Sequence, residues 1–445
     1  MNESLARLPR EPADLFTKPF ARFLQIEAAG AGALLLVTLC AVALANSSWS
    51  AAFLAFWETP LGISLGRFEY ARSLQHWIND GLMTLFFFIV ALELKREMVV
   101  GELSNPRMAA LSLAAALGGM IVPAGLYYML ARGSAGAHGW GTVMATDTAF
   151  MIGCLAVLGT RIPLSLRLFL LSLAIFDDIG AILVVALGYG ETLNWSALAL
   201  AAGGLAIVPL LTWLGIRSIP LYFLVGGLIW LALDASGIHP TLAGVILGLL
   251  TPARGWVSDR RLHAILNRVV AHPPGNHGSG DAGDHHDLQQ ARIATREALS
   301  PVERLEILLH PWVAFIIMPL FALANAGIPI SMAKLDGAVT LAIVAGLVIG
   351  KPAGVVLFSF LAVQLRLAIR PPDLSWRLLA AGGLLTGIGF TMSLFIAGLA
   401  YGPSLLNSAK LGILLASAFS GACGLLVLLW LTSPTFLIKQ HSHTI

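Results

Sequence analysis

The feature that most limits this chain is a succession of long stretches almost empty of charge. About twelve of them centre on residues 28–45, 74–98, 108–131, 139–160, 166–190, 193–216, 219–233, 237–251, 305–328, 338–363, 378–400 and 408–432. Most reach the length of about 20 apolar residues that a bilayer-spanning helix needs, and the seventh and eighth are short. In lipid every backbone polar group must be bonded internally, so such stretches are satisfied as helices. The expected fold is therefore an all-α polytopic membrane protein with about twelve transmembrane helices. Composition agrees, because 57% of the 445 residues are hydrophobic and only 11% are charged, against roughly a quarter in soluble domains. The net charge of +3 is small and dispersed, which speaks against a nucleic-acid partner. Cys40, Cys154 and Cys423 lie in apolar stretches with no shared spacing, so they outline neither a disulfide framework nor a zinc site.

Counting Lys and Arg in alternate loops gives 21 on the side of the N-terminus and five on the other, with Lys351 left in the middle of the tenth stretch. Basic residues stay on the cytoplasmic side, so both termini are expected there. The expected organisation is a cytoplasmic segment 1–23, spans one to eight within 24–253, a linker 254–304, spans nine to twelve within 305–433, and a cytoplasmic tail 434–445. Arg22 and the string Ala43-Leu44-Ala45 resemble the flanks of a signal peptide, but Glu27 abuts the apolar run and the leading segment is long, so a retained first helix is expected. The linker carries 13 charges in 51 positions and a Pro/Gly-rich run at 272–280, followed by Asp281, Asp284, His285, His286 and Asp287. Such a composition reads as flexible chain with no fixed metal geometry. In the loop at about 46–72, Trp49, Trp57, Pro60 and Gly62 accompany the alternation Ile63, Leu65, Gly66, Phe68, Tyr70, which predicts a short periplasmic hairpin.

A charge at bilayer depth costs about 2.5 to 3.5 kcal/mol on the insertion scale, so an ionisable group that persists there marks a functional site by default. Five do so: Asp80 early in the second span, Asp147 in the fourth, Asp177 and Asp178 in the fifth, and Lys351 in the tenth. Asp80 lies near a helix end and fits a structural anchor equally well. Asp177 and Asp178 are adjacent carboxylates that repel one another, which no helix packing requires. Consecutive helix positions point about 100° apart, so the two should play different parts. One can accept a salt bridge from Lys351 while the other faces an aqueous cavity and coordinates a hard cation through oxygen. Proton and metal ion then compete for the same oxygens, as exchange requires. The fourth span is interrupted by Thr146-Asp147-Thr148, and the eleventh by Thr386-Gly387-Ile388-Gly389-Phe390-Thr391-Met392-Ser393. Glycines ease unwinding and hydroxyls satisfy the freed backbone. Paired interrupted spans point to the ion site of a transporter.

These residues lie in strings that resemble the bacterial NhaA-type sodium/proton antiporters. The matching strings are Trp77-Ile78-Asn79-Asp80, Leu92-Glu93-Leu94-Lys95-Arg96-Glu97, Ala145-Thr146-Asp147-Thr148-Ala149-Phe150, Phe176-Asp177-Asp178-Ile179-Gly180-Ala181, Leu308-Leu309-His310-Pro311-Trp312, Phe321-Ala322-Leu323-Ala324-Asn325-Ala326-Gly327, Gly350-Lys351-Pro352 and Gly387 to Ser393. They run in family order over nearly the whole chain. The resemblance implies an inner-membrane antiporter of sodium or lithium against protons. Spans three to five and ten to twelve would be inverted repeats, and spans four and eleven would cross as broken helices. It further implies that Asp178 is the principal carrier of cation and proton, and that Asp177 is its partner, paired with Lys351. Asp147 and Thr146 would lie by the crossing, where the carboxylate offsets positive half-helix ends and Lys351 offsets negative ones. A pH-sensing cluster would map onto Glu93, Arg96, Glu97, Glu306 and His310, and a homodimer would form through the periplasmic hairpin. The chain departs from the family pattern at Ile307, where a second histidine follows the sensing glutamate, and at Val143-Met144, where a proline often precedes the Thr-Asp pair.

The resemblance implies neither a catalytic residue nor a cofactor. An intramembrane aspartyl protease needs facing aspartates, and the only Gly-x-Gly-Asp string, Gly278 to Asp281, lies in the polar linker. A sodium-coupled symporter of a small organic anion is the alternative transporter, although Lys351 is better placed for Asp177 than for a substrate. A channel would need a pore loop that the sequence does not suggest.

Overall fold

The computed structural model describes residues 27–65, 68–99, 101, 106–190, 193–216, 218–270, 282–329 and 336–433. The expected N-terminal segment 1–23, the tail 434–445 and the Pro/Gly-rich run of the linker lie outside them. In chain order the elements are α1 (Glu27–Ala45), α2 (Ser50–Trp57), β1 (Pro60–Leu65), β2 (Phe68–Ser73), α3 (Leu74–Val99), α4 (Pro106–Ala131), α5 (Thr148–Leu158), α6 (Leu164–Gly188), α7 (Trp195–Trp213) and α8 (Ile219–Ser236). They continue with α9 (Leu242–Leu250), α10 (Asp259–Val270), α11 (Ala282–Ala298), α12 (Pro301–Asn325), α13 (Gly337–Gln364), α14 (Trp376–Thr386), α15 (Phe390–Ala400) and α16 (Pro403–Leu431).

Among the described residues, nine helices are long and apolar enough to cross a membrane, and two bent pairs, α1 with α2 and α14 with α15, bring the number to eleven. The protein is a polytopic helical membrane protein. The eighth stretch, already short in the sequence, forms a helix of only 9 residues, α9, which is not among those nine. At 1.5 Å per residue that is about 14 Å, under half the hydrocarbon thickness. Its glycines explain its place: a Cβ on Gly248 would stand 2.6 Å from Ala91 Cβ and 2.8 Å from Phe88 O, so α9 lies almost backbone to backbone on α3.

The chain forms two compact units, one drawn from residues 1–83, 106–189 and 311–445, the other from 84–105 and 190–310. In the first, α4 runs along α13 and α6, and α16 packs on α13 and α14. Small residues allow the closest crossing. A Cβ added to Gly354 of α13 would stand 2.7 Å from Gly118 C and 2.9 Å from Val122 Cβ of α4, with no side chain able to give way at the backbone. Gly354→Ala is accordingly expected to lower stability by about 1 to 3 kcal/mol, the usual cost of overpacking. Gly32→Ala, whose Cβ would meet nothing within 4 Å, is expected to leave the melting temperature in detergent unchanged or slightly raised.

The second unit pairs α7 with α8 and holds α10 against α11. Here the expectation of a flexible linker is corrected within the described residues. Leu262, Ile265 and Leu266 recur at helical spacing, giving α10 an apolar stripe that composition averaged over 51 positions conceals. The Trp256 and Val257 N–H groups donate to Glu297 O at 3.1 and 3.2 Å, and Arg304 Nη1 lies 3.1 Å from Glu297 Oε1. A reciprocal box starts α12: Ser300 N donates to Glu303 Oε2 at 3.0 Å, and Glu303 N donates to Ser300 Oγ at 3.2 Å.

The loop after α1 holds the helix α2 and then an antiparallel hairpin, registered from Pro60 opposite Ser73 to Leu65 opposite Phe68. Trp77 Nε1 of α3 donates to Leu61 O of β1 at 2.8 Å.

Candidate ion-transport site

Two spans of the first unit are broken in mid-course. The fourth begins as a 3-10 arm, Ala137–Val143, passes through non-helical residues 145–147, and resumes as α5. Gly139 and Gly141 weaken the α-helical alternative in the arm, and Asp147 restarts the helix as N-cap, its Oδ1 accepting from Phe150 N at 3.0 Å. The eleventh is broken at residues 387–389 between α14 and α15, which diverge by 47°. A Cβ on Gly387 would press on Leu347 O and Ser420 Oγ at 2.5 Å each, so only glycine fits the break.

The two breaks are bonded to each other. Asp147 N donates to Ile388 O at 2.6 Å, and Asp147 Oδ2 accepts from Thr391 N at 3.0 Å and Thr391 Oγ1 at 2.5 Å. One carboxylate thus sits at the N-terminal ends of both α5 and α15, where partial positive charge gathers. At the opposite ends, Lys351 Nζ donates to Met144 O, just past the 3-10 arm, and Thr146 Oγ1 lies 3.1 Å from Thr386 O, the last residue of α14.

The carboxylate pair on α6 faces this crossing with different partners. Asp177 Oδ2 lies 3.0 Å from Lys351 Nζ and 2.6 Å from Thr146 Oγ1. Asp178 Oδ2 accepts from Thr148 Oγ1, in the first turn of α5, at 3.1 Å. Thr146, Asp147, Asp177 and Lys351 are 0% exposed, and Asp178 is 1% exposed. Lys351 follows a π-helical turn, Gly346–Gly350, and Gly350 lets it approach α4 closely, since a Cβ there would stand 2.8 Å from Pro123 Cα. Wide turns of this kind recur at functional sites.

The remaining sequence-derived residues lie elsewhere. Asp80 is buried in a second π-helical turn, Trp77–Leu82, and its Oδ2 lies 3.0 Å from Nε2 of half-exposed His76, one turn back. In the second unit, Arg96 forms an ion pair with Glu306 and lies 3.4 Å from Glu97 Oε1. Glu93 is one turn before Glu97, and His310 is exposed one turn after Glu306. From sequence, Thr148 and Thr391 have only the general part of satisfying freed backbone groups, not that of partners to Asp178 and Asp147, and the Met144 carbonyl and His76 have none. The hydroxyl that follows Asp147 and the four-residue spacing of His76 and Asp80 are signals that could have found two of them, Thr148 and His76.

Two interrupted spans that cross beside buried charges define the architecture of a secondary transporter. The sequence model of the family described as Na+/H+ antiporter 1 matches residues 21–428. The protein "Na(+)/H(+) antiporter NhaA" of Rhizobium meliloti is 68% identical to the chain, with 98% of this chain and 99% of that one covered. "Na(+)/H(+) antiporter NhaA 2" of Acidiphilium cryptum is 60% identical, covering 95% and 94%, and the protein of that name in Vibrio vulnificus is 54% identical, covering 96% and 95%. The chain belongs to the Na+/H+ antiporter 1 family.

Proposed function

We propose that the chain exchanges sodium or lithium for protons across the bacterial inner membrane by alternating access. The observation that carries this reading is the crossing itself, where buried oxygens converge on two half-helix breaks beside Asp177 and Asp178. Asp177 is engaged by Lys351 and Thr146. Asp178 and the Thr148 hydroxyl offer adjacent oxygens of the kind a hard cation takes, so Asp178 is assigned as principal carrier and Asp177 as its partner. Asp147 and Thr146 hold the crossing in shape. Glu93, Arg96, Glu97, Glu306 and His310 are assigned to pH sensing, because the Arg96–Glu306 pair joins two segments far apart in sequence with a titratable imidazole one turn away. Asp80, paired with His76, is an accessory carboxylate. Both termini are assigned to the cytoplasm from the charge asymmetry of the loops. The two-stranded hairpin has open edges and gains stability by pairing with a second copy in a homodimer.

Adding sodium to everted vesicles that hold a respiratory pH gradient, followed with a fluorescent dye, tests the exchange. Prompt dissipation without any organic anion is the expected result, and a strict requirement for an organic anion would favour the symporter. If sodium and protons share one site, lowering the pH raises the sodium Michaelis constant by up to about tenfold per unit, since one unit of proton activity corresponds to about 1.4 kcal/mol. Maximal rate then falls less steeply. Full sodium titrations in proteoliposomes at several pH values read both quantities. A flat Michaelis constant with a collapsing maximal rate would place control at the Glu306 cluster instead.

A further inference from the structure

Three of the chain's six tyrosines converge on the 3-10 arm, each from the end of a different span and each opposite a glycine. Tyr127 of α4 donates to Gly136 O at 2.6 Å. Tyr401, just past α15, has its hydroxyl 2.7 Å from that of Tyr127 and 3.4 Å from Gly139 O. Tyr189, just past α6, donates to His138 O at 3.0 Å and accepts from Gly141 N at 3.3 Å. The glycines make these approaches possible: a Cβ on Gly141 would stand 2.8 Å from Tyr189 Oη, and one on Gly139 would overlap the Tyr401 ring. Since the single Tyr127 proton goes to Gly136 O, Tyr401 donates to Tyr127, forming a chain from Tyr401 through Tyr127 to the arm. Tyr401 is the member that belongs to the other broken span, so the two spans are tied at the crossing and again at this end.

We propose that the Tyr401–Tyr127 hydroxyl pair is a positioning latch for ion exchange, closing the gap between the 3-10 arm and the C-terminal end of α15 and releasing when the site opens to that side. The proposal rests on the exchange reading above, since a latch serves a site that must alternate. Tyr401 and Tyr127 are positioning residues: neither touches the carboxylates among the contacts described, and both act through the arm that leads to Met144 and Asp147.

Tyr401→Phe keeps the ring and removes only the hydroxyl. Its test uses Thr142→Cys, a fully buried position in the arm, in a chain with Cys40 and Cys423 replaced by serine and the buried Cys154 of α5 kept as an internal control. Labelling by a membrane-impermeant maleimide is read by mass spectrometry. In the Tyr401→Phe background, Thr142→Cys is expected to react about two- to tenfold faster, the population change that loss of one hydrogen bond brings, while Cys154 labelling stays constant. The double variant Tyr127→Phe/Tyr401→Phe also loses the Tyr127 bond to Gly136 O and is expected to label at least as fast as the single one; slower labelling of the double variant would overturn the latch. In proteoliposomes Tyr401→Phe is expected to change maximal exchange at least about twofold per folded transporter with the sodium Michaelis constant unaltered. Equal increases at both cysteines would indicate general loosening and overturn the latch, as would unchanged labelling or a shift confined to the Michaelis constant. Labelling needs no transport, so a wild-type protein that fails to exchange sinks the exchange reading and leaves the latch to be judged by the cysteines.

Discussion

Asp178→Asn is expected to reduce sodium-driven exchange to the background of empty liposomes while the protein folds as its parent does. The amide retains the shape of the carboxyl group and still accepts from Thr148, whose hydroxyl lies 3.1 Å from Asp178 Oδ2. It can neither release a proton nor bring a negative charge to a cation, and both are needed if the two ions take turns on the same oxygens. Because a buried charge is replaced by a neutral isostere, the melting temperature is expected to hold or rise. A purified Asn variant that exchanges at the parental rate would remove Asp178 from the carrier role and direct attention to Asp177.

Lys351→Ala is expected to be the most destabilising substitution in the proposed site. Lys351 and Asp177 are both 0% exposed and 3.0 Å apart, and stripping one member from a buried pair costs about 3 to 5 kcal/mol because the other charge remains desolvated and alone. Lys351→Arg keeps a cation and is expected to lose less. The double variant Asp177→Asn/Lys351→Ala is expected to recover much of the loss, since it removes both charges together. Thermal unfolding of the purified variants in one detergent checks the series. Identical melting temperatures for Lys351→Ala and Lys351→Arg would mean that the ion pair does not hold α6 to α13.

The parts of this arrangement that could be read from the chain are those for which lipid sets a high energetic penalty. Asp147, Asp177, Asp178 and Lys351 stand out because charges are rare at depth, and Gly387 and Gly389 because they sit among hydroxyls in an apolar run. What could not be read is the pairing across long separations. Thr391 and Asp147 are 244 positions apart, and nothing local indicates that the hydroxyl of one reaches the carboxylate of the other. The stretch that becomes α9 is visibly short in the sequence, but what it rests on is hidden: only the contact of Gly248 with Ala91 and Phe88 reveals the neighbour. The helices α10 and α11 escaped for another reason, since the Pro/Gly run between them dominates the composition of the whole linker. The hairpin was legible because alternation and turn residues are local signals.

The bonds from Asp147 and Thr146 to Ile388, Thr391 and Thr386 bear on how such proteins can be recombined. A hybrid assembled from two relatives with a breakpoint anywhere between residues 158 and 376 would join a fourth span from one parent to an eleventh span from the other. Each would carry caps shaped for a counterpart it no longer meets. The transplantable module is therefore discontinuous, comprising residues 137–158 together with 376–400, and swaps of the two segments as a set should outperform swaps of either one.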